Sequence, residues 1–185
     1  MKNILLVIAG PSGVGKGTLV GRLLKSDEFA LSVSCTTRAP RTGEKHGKSY
    51  FFLSKEEFLK RIEEGDFLEY NEHFGNYYGT PKSFVEEQLK EKTVILEIDV
   101  VGALNVKKHY PAAVLVMITP PSREALFERL KGRGAENDEE IQRRVARSEF
   151  ELGESEKFDY TVENAELDEA ERHLREIINQ EKNRD

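Results

Sequence analysis

Short runs of consecutive apolar residues alternate along the chain with stretches whose apolar positions recur every three to four residues. That order makes a parallel sheet covered by helices on both faces. Residues 4–9, 94–98 and 114–119 are apolar at almost every position, which predicts strands buried on both sides, and 160–162 reads as a weaker fourth. Shorter extended pieces at 31–34, 50–53 and 67–70 surround a helix over 55–64, with Ser54 and Glu57 spaced as a capping box and Gly65 as its stop. These pieces predict a small insertion on the main sheet. Further helices are predicted over 18–25, from a cap and first turn at Thr80-Pro81 to about residue 90, and from Ser122 to 130. The polar stretch 131–140, with Gly132 and Gly134 near its start, reads as a mobile surface segment between two helices. The acidic end, 163–185, repeats apolar residues at Leu167, Leu174, Ile177 and Ile178, as a closing helix with one solvated face does.

Gly10-Pro11-Ser12-Gly13-Val14-Gly15-Lys16 follows the first apolar run and leads through Gly17 and Thr18 into a helix. Strand, glycine-rich turn and helix with a lysine at its mouth are the parts of a phosphate-binding loop. The glycines let backbone N–H groups approach an anion, the helix start adds unpaired donors and partial positive charge, and Lys16 adds a full one. A glycine-rich turn with no ligand would leave three glycines and a lysine unexplained, so a nucleoside triphosphate site is the better reading.

A length of 185 residues suits one domain with a real core, and 38% hydrophobic against 34% charged residues is a soluble globular balance. A formal net charge of −6 argues against nucleic-acid and membrane-surface partners, which attract basic patches. An anionic substrate must then be met by local arginine and lysine clusters. The single cysteine, Cys35, has no internal disulfide partner, which fits a reducing cytoplasm. Residues 1–9 look superficially like a signal peptide. The run is too short for a membrane span and leads into the loop, so it reads as a buried strand.

The insertion holds most of the remaining chemistry. Arg38 and Arg41 flank Pro40, and a rigid turn there could aim both guanidinium forks at one phosphate. Alone they would be ordinary surface arginines. Tyr50 adds a hydroxyl, Glu69 a carboxylate on a short apolar strand, and the segment 76–80 two phenols and a hydroxyl at a turn.

With these residues in place the chain resembles the guanylate kinases, over nearly its whole length. The most specific part is Thr36-Thr37-Arg38 followed by Arg41, Glu44, Gly47, Tyr50 and Phe52. The resemblance implies an α/β three-layer sandwich with a P-loop and a mostly parallel sheet, an inserted GMP-binding subdomain at about 34–90 and a lid at about 131–140. It implies transfer of a phosphoryl group from ATP to GMP, and to dGMP, with Mg²⁺ accompanying ATP. It further implies that Ser34, Glu69 and Thr80 hold guanine, that Arg38, Arg41, Tyr50 and Tyr78 hold the GMP phosphate, that the lid carries Arg133 and Arg144, and that adenine is met near Asn164.

Residue chemistry agrees with these implications. Guanine shows two adjacent donors on its pairing edge, and an ionised Glu69 is an acceptor-only fork that can take both; Ser34 and Thr80 could donate to O6. Adenine would leave the carboxylate unpaired, and discrimination of this kind reaches ~10⁴. Standing alone, Glu69 would read as an exposed strand residue. Because the acceptor is a phosphate oxygen with a second pKa of about 6, no general base is required. Lys16 and the loop amides would hold the donor phosphates. Arg133 and Arg144 would neutralise transition-state charge, although Arg129, Arg143 and Arg147 make the region generally arginine-rich.

Gly17 stands where the general phosphate-loop pattern has a metal-ligating serine or threonine, so Mg²⁺ would be held largely through water. In Leu96-Glu97-Ile98-Asp99 the family more often has aspartate first. Glu97 could order the metal's water shell, and Asp99 could face the acceptor nucleotide. His46, His73, His109 and His173 share no metal-ligand spacing, and Cys35 reads as a packing residue. Two rivals stay open: a guanylate-kinase-like module that binds phosphorylated peptides without catalysis, against which Lys16 speaks, and a kinase for another phosphorylated acceptor, against which Glu69 with Ser34 and Thr80 speaks.

Overall fold

The computed structural model describes residues 2–73, 75–131 and 138–184. Its first strand, β1 (Leu5–Ala9), is buried throughout because alternate residues face two different cores. Leu6 and Ile8 point into a cluster with Leu19, Val20 and Leu23 of α1 (Lys16–Leu23) and Leu174, Ile177 and Ile178 of α7 (Leu167–Lys182). Leu5, Val7 and Ala9 point the other way, onto Val85 of α3 (Lys82–Leu89) and Val100, Ala103 and Val106 of α4 (Val100–His109). A strand read by both faces has no polar positions, which is why its sequence is a continuous apolar run.

The main sheet has five strands, with β2 (Phe29–Leu31), β7 (Thr93–Glu97), β1, β8 (Val114–Thr119) and β9 (Tyr160–Glu163) side by side and every pairing parallel. From β1 the chain first builds β2 and β7 on one side and then crosses to β8 on the other. The crevice beyond the carboxyl end of β1 is therefore a topological switch point, where open α/β sheets take ligands. The glycine-rich loop sits there.

A second, four-stranded sheet runs β4 (Phe51–Phe52), β3 (Cys35–Thr36), β6 (Asn76–Pro81), β5 (Phe67–His73). Period-two alternation gives it two unlike faces. Phe67 and Tyr77 stack on Phe58 of α2 (Lys55–Glu63), with ring centroids 4.5 and 5.4 Å apart. Glu69, Asn71 and Tyr78 face the opposite way, into a cleft. Gly79 belongs to the packed face: a Cβ there would lie 2.9 Å from both Phe58 and Phe67, so only glycine lets the rings close on the strand.

Several expectations hold closely, including the Ser54–Glu57 capping box, a cap by Ser122 on Ala125 N–H ahead of α5 (Arg123–Lys131), and the closing helix. Others are corrected. The helix after the phosphate loop begins at Lys16 and ends at Leu23, two residues ahead of the predicted span at each end. Leu31 ends a strand of the main sheet, and only from Cys35 does the chain enter the small one. Residues 76–80 form a strand, not a turn, because five residues of β5 pair with them antiparallel. Thr80 lies inside that strand and Pro81 is the cap of α3, whose first turn starts at Lys82. Residues 132–137, most of the predicted surface segment, lie outside the described residues, and α6 (Asp138–Gly153) begins immediately after them.

Candidate active site

A cleft of about 780 Å³ lies between the phosphate loop, the polar face of the small sheet, the start of α4 and one stripe of α6. Its volume falls in the range of small-molecule sites.

The loop floor is fixed by close backbone approach. Gly10 has φ 144°, and a Cβ on it would sit 2.3 Å from the Ile118 carbonyl oxygen; Gly15, at φ 99°, caps α1 and lies against Asn164. Side chains are excluded at both points, so the loop lies flush on β8 and Asn164. Lys16 Nζ donates to the carbonyls of Gly10 (2.6 Å) and Pro11 (3.0 Å), folding its ammonium over the loop that Ser12, Gly13, Val14 and Gly15 complete. Gly17 and Thr18 follow in the first turn of α1, and Thr18 N–H donates to the Gly15 carbonyl.

Glu97, at the end of β7, reaches the same floor. Its Oε1 lies 3.5 Å from where a Cβ on Gly17 would be, so the carboxylate stands beside the space a serine or threonine would fill. One side of Glu97 meets solvent and the other is walled by protein; that wall raises its pKa, and the nearby Lys16 charge partly opposes it.

Across the cleft, a β-bulge between Phe67 and Glu69 shifts the register so that Glu69 pairs with Thr80. Bulges re-aim side chains in this way. Glu69 is 6% exposed, and Thr80 Oγ1 donates to its Oε1 at 2.7 Å. Burial pushes the Glu69 pKa up to about 7, with the Thr80 hydrogen bond opposing and the Asp99 charge adding. Oε2 lies toward Gly102, where an added Cβ would be 3.2 Å away. Asp99 caps α4 through Gly102 N–H (2.7 Å), accepts from Asn71 Nδ2 (3.3 Å) and faces Arg147 Nη2 at 3.7 Å.

Arg38, Tyr50 and Tyr78 come together at the rim. Arg38 Nη2 donates to both Glu44 oxygens (2.9 and 3.0 Å), its guanidinium lies 5.5 Å from the Tyr50 ring centre, and Tyr50 meets Tyr78 edge-on at 6.2 Å. Hydrogen bonding to Glu44 raises the Arg38 pKa, and burial raises that of Tyr50. Arg41 joins this cluster through its backbone N–H, which donates to Glu44 Oε2 at 2.8 Å; the residue as a whole is exposed. Ser34 lines the cleft beside them.

From α6, Arg143, Arg144, Arg147, Ser148 and Glu151 line the wall, the spacing of one helix face. The guanidinium stripe thus confronts Glu97, Asp99 and Glu69. Arg133 lies outside the described residues. Asn164 is buried behind the loop, not on the cleft wall, with its amide on the Val14 carbonyl.

Asn71 and Glu151 are site residues that sequence reasoning did not single out; Arg147 was named only among the arginines of its region, and Glu44 only within the signature, without its clamp on Arg38. Asn71 was two positions from Glu69 on one strand, and Arg147 one helical turn from Arg144. Those periodicities were the available signals.

The family model for guanylate kinase matches residues 2–181. The chain belongs to the guanylate kinase family. A guanylate kinase of Synechocystis sp. is 50% identical over 183 residues, spanning 98% of this chain and 96% of that one. One of Clostridium tetani is 50% identical over 182 residues, with 98% and 88% covered. Among solved structures, guanylate kinase from Anaplasma phagocytophilum superposes with a TM-score of 0.78 at 32% identity, covering 99% of this chain and 88% of its own. As a family member the chain is a kinase with a P-loop α/β fold. No described helix is long and apolar enough to cross a membrane.

Proposed function

We propose that this chain transfers the γ-phosphoryl group of ATP to GMP, with dGMP as a second acceptor, and that the small sheet and the chain up to about residue 90 serve as the GMP-binding part of a single domain. The observation that carries the reading is a buried carboxylate, Glu69, anchored by Thr80 at one oxygen and facing a cleft whose opposite wall is a phosphate loop.

In this reading the donor triphosphate lies on the loop, where backbone amides and Lys16 meet its β- and γ-phosphates. Lys16 would exchange the carbonyls of Gly10 and Pro11 for phosphate oxygens. Guanine enters against Glu69, which accepts from N1–H and the 2-amino group. Thr80 spends its hydroxyl hydrogen on Glu69, so its part is to orient the carboxylate, while Ser34 is left to donate to O6. The acceptor phosphate docks on Arg38, Tyr50 and Tyr78, with Arg41 swinging in from solvent. Arg144 neutralises charge as the phosphoryl group passes, assisted by Arg133 from the 131–140 lid, whose closure keeps water out. Asp99 holds α4 and Asn71 in register beside the nucleotide. Asn164 lies near the adenine end of the donor but meets the loop itself.

Mg²⁺ fits the oxygen donors at the loop: one carboxylate, Glu97, beside the space left by Gly17, is the kind of partner a cation takes when it keeps several waters and binds substrate phosphates. Bound there, it would supply neutralisation of the charge on the transferring phosphoryl group. Glu97 would hold its water shell. The cytoplasm, where ATP and GMP are both available, is the compartment that suits this reaction.

The test is a coupled assay of purified protein with ATP–Mg²⁺ and GMP, dGMP, AMP or UMP. GMP and dGMP should turn over, with AMP and UMP slower by orders of magnitude. Equal rates with AMP would refute guanine recognition, and no turnover with any acceptor would favour a binding module.

A further inference from the structure

The phosphate loop is held from behind by residues that do not touch the cleft. Asn164, at the end of β9, is 6% exposed, and its Nδ2 donates to the Val14 carbonyl at 2.8 Å. Its own backbone is pinned, with N–H donating to the Thr119 carbonyl (2.8 Å) and the carbonyl accepting from Arg129 Nη2 (3.0 Å). Arg129 also places Nη1 3.5 Å from the Val14 carbonyl. Two donors, one just past the end of β9 and one on α5, thus converge on one peptide oxygen of the loop. Contact is close enough that a Cβ on Gly15 would lie 2.4 Å from Asn164 Nδ2.

The peptide that joins Val14 to Gly15 is planar and trans. In such a unit the C=O and the N–H point in opposite directions. Drawing the Val14 oxygen back toward Asn164 and Arg129 therefore turns the Gly15 N–H forward, onto the side where Lys16 lies and a triphosphate would bind. Gly15, at φ 99°, has the backbone freedom to let this peptide rotate if the restraint is removed.

We infer that Asn164 and Arg129 are positioning residues that aim the Gly15 amide at the donor's phosphates. The inference rests on the proposed placement of the triphosphate on this loop. It assigns Asn164 to the loop and not to recognition of the adenine base. The cost of losing the restraint should resemble that of losing the orienting partner of a site ligand or one fixed donor, about tenfold to a hundredfold.

The experiment compares wild type with Asn164→Ala and Asn164→Asp, the latter keeping size while setting an oxygen against the Val14 oxygen. Affinity for inorganic tripolyphosphate, which has no base, should fall about tenfold or more in both variants, and affinity for ATP by the same factor. The ratio of kcat/KM for ATP over inosine triphosphate and the affinity for GMP should stay at wild-type values. A loss confined to ATP would assign Asn164 to the base. An equal loss for GMP would reduce its role to general stability, and no loss would also overturn the inference. Should the variants not fold, the wild-type protein answers by NMR: the Gly15 amide proton should move strongly downfield on adding tripolyphosphate, and an unmoved resonance contradicts the aim. If wild-type protein bound tripolyphosphate this way but did not phosphorylate GMP, the proposed function would fail while the loop clamp stood.

Discussion

Thr80 Oγ1 donates to Glu69 Oε1 at 2.7 Å across neighbouring antiparallel strands, inside a wall that leaves Glu69 only 6% exposed. The contact fixes which carboxylate oxygen is occupied and which faces the cleft. Thr80→Val keeps the shape and removes the donor, leaving Oε1 without that partner. An unsatisfied buried acceptor costs about 1–3 kcal/mol. Thermal or denaturant unfolding should show a loss of that order, together with weaker GMP binding.

Glu69 gives the apo protein and the complex opposite pH dependences. Its pKa is raised from 4.5 to about 7, so between those values the folded state holds a proton that the unfolded state has released. Stability from this group is greatest below the unfolded pKa and falls as pH rises through 7. Guanine needs the ionised form, so GMP affinity should instead fall as pH drops below about 7. Melting temperature and GMP titrations from pH 5.5 to 8 check both trends. Glu69→Gln should flatten both, which separates Glu69 from the GMP phosphate titrating near 6.

Lys16 brings a full positive charge to the loop floor, and the carbonyls of Gly10 and Pro11 to which it donates are partners it can exchange for phosphate. Lys16→Met should leave the fold intact and reduce kcat by at least about a hundredfold. Steady-state turnover with saturating GMP, beside a melting curve, measures both.

Gly79 should tolerate no side chain. Gly79→Ala sets a methyl 2.9 Å from Phe58 and Phe67, and overpacking of that kind costs about 1–3 kcal/mol. Unfolding midpoints would report it. Because the strand carrying Tyr78 and Thr80 must move to relieve the clash, GMP binding should weaken in parallel.

The sequence showed most of the main sheet, since β1, β7 and β8 are apolar at almost every position and only a doubly covered strand needs that. It showed the phosphate loop too, because glycines at Gly10 and Gly15 are demanded by local geometry. Strand β6 was hidden: Asn76, Gly79 and Thr80-Pro81 are turn-forming residues, and pairing with β5 overrides them. The same pairing explains why Thr80 holds Glu69 and does not cap a helix. Convergence of Asn164 and Arg129 on the Val14 carbonyl spans separations of 150 and 115 residues, and no local pattern encodes that.

The central claim is that Glu69 reads guanine, and a titration of GMP and AMP into wild type and Glu69→Gln at pH 8 tests it most directly. Wild type should prefer GMP strongly, up to about 10⁴-fold, and Glu69→Gln should lose most of that preference while ATP affinity stays unchanged. An unaltered GMP-to-AMP ratio in Glu69→Gln would contradict the account.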